Sequence, residues 1–262
     1  MKDELANRTA LVTGGSLGLG RAMAKEFHVQ GASVAILARR LELLENARDE
    51  IAEAGDGRAS VKCYECDVTD LGAIERTVAQ VNNEQGEVDI LVNNAGKSEA
   101  HAFLDVTDDI WQADLDLKLF AAIRFSRLLF PKMCDRGWGR IINILNTAAK
   151  APGPRSAPTS VSRAAGMALT KVLAGEGAPH NVLVNALLIG RIESDQSRRA
   201  YEASTRESSY REFLAKAGQS LPMKRMGEAQ ECANVALFLA SDRASYLTGC
   251  AINMDGGLSP VV

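Results

Sequence analysis

Thr9-Ala10-Leu11-Val12 runs into Thr13-Gly14-Gly15-Ser16-Leu17-Gly18-Leu19-Gly20 and on into the helix-like stretch from Arg21 to Gln30. Small residues in such a turn let the backbone approach a pyrophosphate. The helix behind it points free amides and the positive end of its dipole at the negative charge. The stretch therefore predicts a dinucleotide site with Gly14, Ser16, Leu17, Gly18, Leu19 and Gly20 around the phosphates. Glycine-rich turns also arise for steric reasons alone, and it is the flanking strand and helix that favour a binding role.

Further along, β-rich runs recur at 9–13, 33–38, 60–66, 88–93, 140–145, 182–188 and 249–254, with helical patterns filling most intervals. Strands separated by helices imply parallel crossovers. The expectation is an α/β fold, a Rossmann-type doubly wound sheet of seven mainly parallel strands with helices on both faces, forming one domain over 1–262. Ligands then belong beyond the carboxyl ends of the strands, where the glycine turn lies. The segment Gly190 to Gly218, rich in Ser, Arg and Glu, reads either as a substrate flap or as a solvated insertion.

A formal net charge of -3 across 262 residues supplies no positive field for nucleic acid or anionic lipid. No apolar run is long enough to span a bilayer, and Met1-Lys2-Asp3-Glu4 leads into the first strand without a signal segment. These features point to a soluble, cytoplasmic protein with a small-molecule ligand and neither nucleic-acid nor membrane partners. The five cysteines are an odd number without framework spacing. Cys63 and Cys66 fall on opposite faces of one expected strand, which argues for buried free thiols rather than a pair. His28, His180 and the acids show no ligand spacing, so no metal site is expected.

Several motifs occur in order: the glycine turn, Cys66-Asp67-Val68-Thr69-Asp70, Asp89-Ile90-Leu91-Val92-Asn93-Asn94-Ala95-Gly96, Gly139-Arg140-Ile141-Ile142-Asn143-Ile144, Val184-Asn185-Ala186, and the tail from Leu221-Pro222-Met223 to Asp255-Gly256-Gly257. With them the chain resembles, end to end, a classical short-chain dehydrogenase/reductase of the 3-oxoacyl-ACP-reductase-like kind. The resemblance implies that Asp67 and Val68 flank an adenine and that Asn94, Ala95 and Gly96 line the route to a nicotinamide. It places Gly190 and Ile192 in the loop that contacts the carboxamide, although that loop reads Ile189-Gly190-Arg191-Ile192 without the usual proline. It also implies a homo-oligomer, a dimer or tetramer, through the segments Thr107–Arg136 and Ser156–Ala178.

An NAD-specific site of this type places an acid after its second strand to bond both ribose hydroxyls. That strand, Val34-Ala35-Ile36-Leu37-Ala38, ends instead on Arg39-Arg40, so NADP(H) is favoured over NAD(H). Leu17 stands where many NADP-binding relatives carry a basic residue, and the arginines could simply open the next helix on a solvated face.

The family's chemistry uses an Asn-Ser-Tyr-Lys set. Counted by motif, those positions are Lys118, Asn146, Thr159 and Arg163. An aliphatic hydroxyl cannot replace a phenol tuned toward neutrality, and arginine does not titrate at ordinary pH, although it keeps charge and donors for a cofactor ribose. Lys118 shares the apolar stripe of Trp111, Leu115, Ala122 and Phe125. There it either acts as a desolvated replacement acid or anion clamp, or it snorkels to water or pairs with a neighbouring acid. Asn146 can still offer an amide to an oxyanion. His101, Tyr201 and Tyr210 are weaker candidates. Three functions remain open: an NADP(H)-dependent oxidoreductase of a carbonyl or alcohol with a non-standard acid, a dinucleotide-binding pseudoenzyme, and a scaffold for a reaction without hydride transfer.

Overall fold

The computed structural model of the protein describes residues 3–204 and 209–262. In its first half, β1 (Thr9–Thr13), α1 (Gly18–Val29), β2 (Ser33–Ala38), α2 (Leu41–Ala54), β3 (Val61–Glu65), α3 (Leu71–Gln85) and β4 (Ile90–Asn93) alternate without exception. The second half adds β5 (Ala100–His101), α4 (Asp108–Leu115), α5 (Ala121–Arg136), β6 (Gly139–Asn146), β7 (Ala157–Pro158), α6 (Thr159–Gly177), β8 (Val182–Ile189), α7 (Asp195–Glu202), α8 (Tyr210–Gly218), α9 (Ala229–Ala240) and β9 (Ala251–Met254).

Seven strands form one parallel sheet in the order β3-β2-β1-β4-β6-β8-β9. The central strands are apolar on both faces because helices cover both, and their alternation sorts them into two cores. Ala10, Val12, Val34, Ile36, Ile90 and Val92 pack with Met23, Phe27, Leu44 and Ala236 on one side. Leu11, Ala35, Leu37, Leu91 and Ile141 pack with Ile74, Val78, Phe125 and Leu129 on the other. Cys63 packs against the first core and Cys66 lies in the second, the opposite faces expected for them. The chain builds outward from β1 to β3 and then returns to β4, so strand order reverses between β1 and β4. Doubly wound sheets open their ligand crevice at such a point.

Two features depart from the expected elements. The helix foreseen over Thr107–Arg136 is interrupted: α4 ends at Leu115, Asp116–Phe120 forms one wider π turn, and α5 begins at Ala121. In addition, β5 and β7 make a separate two-stranded antiparallel sheet, pairing Ala100 with Pro158 and His101 with Ala157. These strands are two residues long, too short to leave an alternating pattern in the sequence. In the segment read as a flap, α7 and α8 are helical, and residues 205–208 lie outside the described part of the chain.

Candidate active site

The glycine turn is held by the strand beside it. The Thr13 hydroxyl donates to the Val92 carbonyl and accepts from the amides of Asn94 and Ala95, at 2.9 and 3.0 Å. The Asn94 side-chain amide donates to the carbonyls of Thr13 and Gly14, at 2.9 and 3.2 Å. Gly14 has φ +66°, and a Cβ on Gly20 would lie 2.3 Å from the Gly14 oxygen and 2.6 Å from Asn94 Nδ2, so the turn and helix meet only with glycine there. Gly18, at φ +53°, faces open space. Leu17 gives α1 no side-chain cap, leaving the first-turn amides available to a ligand. Ser16 is buried, and Leu19 packs against the first core.

Arg39 and Arg40 are both exposed just beyond β2. Asp67 accepts from the Thr69 amide and hydroxyl at 2.9 and 2.8 Å, and these bonds, with Arg39 nearby, lower its pKa. The Val68 side chain belongs to the second core. At the far end of the crevice, Gly190 lies so close to Asp255 that a Cβ would come within 2.5 Å of Asp255 Cβ, and Ile192 bridges to Gly227. Asp255 itself caps the turn that follows, accepting from the amides of Gly257 and Ser259.

Lys118, Thr159 and Arg163 gather between these parts, and Asn146 ends β6 two residues beyond the Ile144 carbonyl that Arg163 holds. Lys118 stands in the π turn with its side chain 1% exposed, and it does not snorkel. It forms an ion pair with Asp114, one turn earlier, whose side chain is fully buried. The same ammonium donates to Thr159 Oγ1 at 2.6 Å. Thr159, the first residue of α6, also accepts at Oγ1 from the Glu99 amide at 3.0 Å, while its own amide donates to the Glu99 carbonyl at 3.3 Å. Ser162 completes the cluster by donating to Asp114 Oδ2 at 2.6 Å. Asp114 is the member that sequence reasoning missed, because an acid on an amphipathic helix ordinarily faces water. Its four-residue spacing from Lys118, once Lys118 was placed on the apolar stripe, was the available signal.

Arg163 donates through Nη1 to the Ile144 carbonyl, and its guanidinium packs on Gly96, where a Cβ would lie 2.7 Å from Nη2 and 3.7 Å from Lys118 Cγ. Arg163 Nε and Asn146 Oδ1 are buried with no hydrogen-bond partner among the described residues. Burial lowers the Arg163 pKa to about 10, and Asp114 offsets this in part, so the group remains a cation at neutral pH. Desolvation also lowers the Lys118 pKa. Asp114 and Glu99 pull it back up and Arg163 pushes it further down. A cleft of about 270 Å³ is lined by Lys97, Glu99, Asp109, Ile110, Ala113 and Asp114.

The glycine cradle, the uncapped amides of α1 and the orphaned polar atoms of Arg163 and Asn146 fit a dinucleotide laid across the switch point. The weaker candidates are engaged otherwise. His101 pairs with Glu99 at 2.7 Å. Tyr201, Tyr210 and Phe213 form a ring cluster with centroids 5.5 to 6.4 Å apart, a packing role for both phenols. His28 is buried and His180 exposed, and among the described residues no group of acids, histidines and cysteines could hold a metal. Nor is any described helix long and apolar enough to cross a membrane.

A family model described as enoyl-(acyl carrier protein) reductase matches residues 14–259. The chain is 35% identical over 257 residues to the human dehydrogenase/reductase SDR family member 4, an alignment covering 98% of this chain and 89% of that protein. Among solved structures, L-sorbose reductase from Gluconobacter frateurii, complexed with NADPH and L-sorbose, superposes with a TM-score of 0.92 at 31% identity over all of both chains. The NADPH-bound short-chain oxidoreductase of Pseudomonas aeruginosa PAO1, described as containing an atypical catalytic center, gives a TM-score of 0.92 at 34% identity, also over all of both chains.

Proposed function

This chain belongs to the short-chain dehydrogenase/reductase family, and from that membership we propose that it is an NADP(H)-dependent oxidoreductase of a carbonyl or alcohol substrate whose proton donor is Lys118, acting through the Thr159 hydroxyl. On this reading Lys118, Asn146, Thr159 and Arg163 stand at the family's four catalytic positions. The observation that carries the proposal is the 2.6 Å hydrogen bond from Lys118 Nζ to Thr159 Oγ1 in a site closed to water.

The bound nicotinamide supplies or accepts the hydride, and the side chains handle the proton. Thr159 Oγ1 accepts from Lys118 and from the Glu99 amide, which occupies both lone pairs and turns its own proton outward as a donor. When a carbonyl is reduced, that proton passes to the substrate oxygen and is replaced on Thr159 by one from Lys118, which becomes a neutral amine. Threonine alone is too weak an acid for the step. A lysine desolvated among these groups releases a proton more readily than one in water. Asn146 at the end of β6 would steady the substrate oxygen and the Arg163 cation the cofactor ribose, a reading supported by the unpartnered buried polar atom on each.

The exposed Arg39 and Arg40, which follow β2 at the positions where an acid would favour a free ribose, support a preference for the 2′-phosphate. Val161 and Val172, 50% and 57% exposed on α6, support a homo-oligomer through that helix, which light scattering at micromolar concentration would detect. A cytoplasmic location remains part of the same proposal.

The test is NADPH oxidation over a panel of ketoses, 2- and 3-oxoacyl esters and simple ketones, in wild type and Lys118→Met. Turnover that falls by about 10²- to 10⁴-fold in the variant, with NADPH affinity kept, is the expected result. NADPH binding without turnover on any member would favour the second reading, a dinucleotide-binding pseudoenzyme. The observation on that side is the Lys118–Asp114 ion pair, which holds the ammonium away from solvent.

A further inference from the structure

Asn146 closes β6 in register with Ile189 of β8, at the carboxyl edge of the sheet. The first turn of α6 reaches the same place, because Thr159 and Arg163 lie one turn apart on it and Arg163 is tied to the Ile144 carbonyl. The Thr159 hydroxyl is clamped by Lys118 and the Glu99 amide, whereas the Asn146 amide is held by nothing. Its Oδ1 is buried without a donor, and neither end of the side chain bonds to another described residue. Asn146 as a whole is only half-buried, so the amide is not sealed inside the protein. An acceptor left in this state destabilises the protein unless a ligand brings the donor.

The reacting carbonyl does not bring it. A carbonyl oxygen is itself an acceptor; it takes the N–H of Asn146 and leaves Oδ1 unpaired. The alcohol formed on reduction does not bring it either, since its new proton arrives from Thr159 and lies along that bond. The missing donor therefore belongs to a second group on the substrate. An amide carries its donor and acceptor side by side, and the partner that fills both has a carbonyl and a donor on the adjoining carbon. Charge selects the donor. An ammonium would meet Arg163, whose cation Asp114 offsets only in part, with Lys118 bordering the same Gly96. A carboxylate offers no proton. A neutral hydroxyl remains.

Resting on the reading of Lys118 as the proton donor, we propose that Asn146 is a specificity-determining residue and that the substrate is an α-hydroxy ketone. The ketone oxygen accepts from Asn146 Nδ2, and the neighbouring hydroxyl donates to Oδ1. Because nothing in the protein fixes the amide, it turns about its last side-chain torsion to take up both groups as the substrate arrives. A site that bonds a substrate hydroxyl discriminates against an analogue of equal size without one, because its own polar group is then stranded.

The experiment compares kcat/KM with NADPH for hydroxyacetone, 2-butanone and methoxyacetone on the full-length protein. 2-Butanone matches hydroxyacetone in size without the donor, and methoxyacetone keeps the electron-withdrawing oxygen without the donor. Hydroxyacetone should exceed each by at least about tenfold, and a smaller preference over either would overturn the proposal. Asn146→Ala should lose the preference. Asn146→Asp, which gives up the N–H and keeps an acceptor, should turn over more slowly and retain it. A preference kept in Asn146→Ala or lost in Asn146→Asp would count against the assignment, and if neither variant folds the wild-type comparison decides. If the wild type reduces none of the three, NMR titration of its NADP⁺ complex reads binding instead. 1,2-Propanediol should then bind at least about fivefold more tightly than 2-butanol, its equal in size. That result would remove the proton-donor reading and leave the assignment of Asn146 standing, whereas equal binding would remove both.

Discussion

Replacing Lys118 with methionine keeps the length of the side chain and removes its charge. The Asp114 carboxylate, 0% exposed, would then retain Ser162 as its hydrogen-bond donor and lose its counter-ion. Breaking a buried pair from one side costs about 3–5 kcal/mol, because the surviving charge has neither water nor a partner. For a chain of this size about 2–4 °C of melting temperature accompanies each kcal/mol, so Lys118→Met should melt about 6–20 °C below wild type by circular dichroism. Asp114→Asn should lose a similar amount, since it leaves the ammonium beside Arg163 alone. The double variant, with neither charge, should recover to within about 1–2 kcal/mol of wild type. The pH dependence supplies a second check. Burial lowers the proton affinity of Lys118 in the folded protein below the ordinary lysine value of 10.5, so the unfolded chain binds that proton more tightly. Stability should therefore rise with pH between the lowered value and 10.5, and the rise should vanish in Lys118→Met. Single variants each costing under about 1 kcal/mol would refute the buried pair itself.

Further expectations concern the rest of the site. Gly20→Ala puts a methyl group 2.3 Å from the Gly14 oxygen and 2.6 Å from Asn94 Nδ2, so NADPH titration by fluorescence should show affinity falling at least about tenfold, and unchanged affinity would contradict the cradle. Arg39→Asp should weaken NADPH binding far more than NADH binding; equal losses would remove the basis for preferring the phosphorylated cofactor. Burial in α9 pushes the Cys232 thiol up to about 12, so it should resist a thiol-specific reagent until the protein unfolds, and rapid labelling in the native state would show that the first core opens locally.

Most of the fold could be read from the chain because parallel strands covered on both faces are apolar throughout, and helices alternating with them leave few arrangements open. Val34 to Ala38 and Ile141 to Leu145 are such runs, and each lies where it was expected. The glycine turn was equally plain, since φ values of +66° and +53° at Gly14 and Gly18 are positions that other residues occupy only under strain. The contacts that shape the site were less visible. Asn94 read as a lining residue and proves to tie the turn to β4, a role set by two carbonyls eighty residues away in sequence. The π turn around Lys118 adds one residue to a helical repeat, and nothing in composition marks such an insertion. Asp114 is one of several acids between Asp105 and Asp116, and only three-dimensional packing distinguishes the buried one from those in water.

The clamp of Glu99 on Thr159 bears on which side chains this position can accept. The threonine is only 5% exposed, its hydroxyl is engaged by Lys118 and the Glu99 amide, and its backbone is tied to the same short strand. A phenol introduced at this position would meet the Lys118 ammonium where its ring must go and would strip Lys118 of its second acceptor. Position 159 therefore accepts an aromatic ring only together with changes at 118 and 114, because the buried pair and the small hydroxyl pack as one unit.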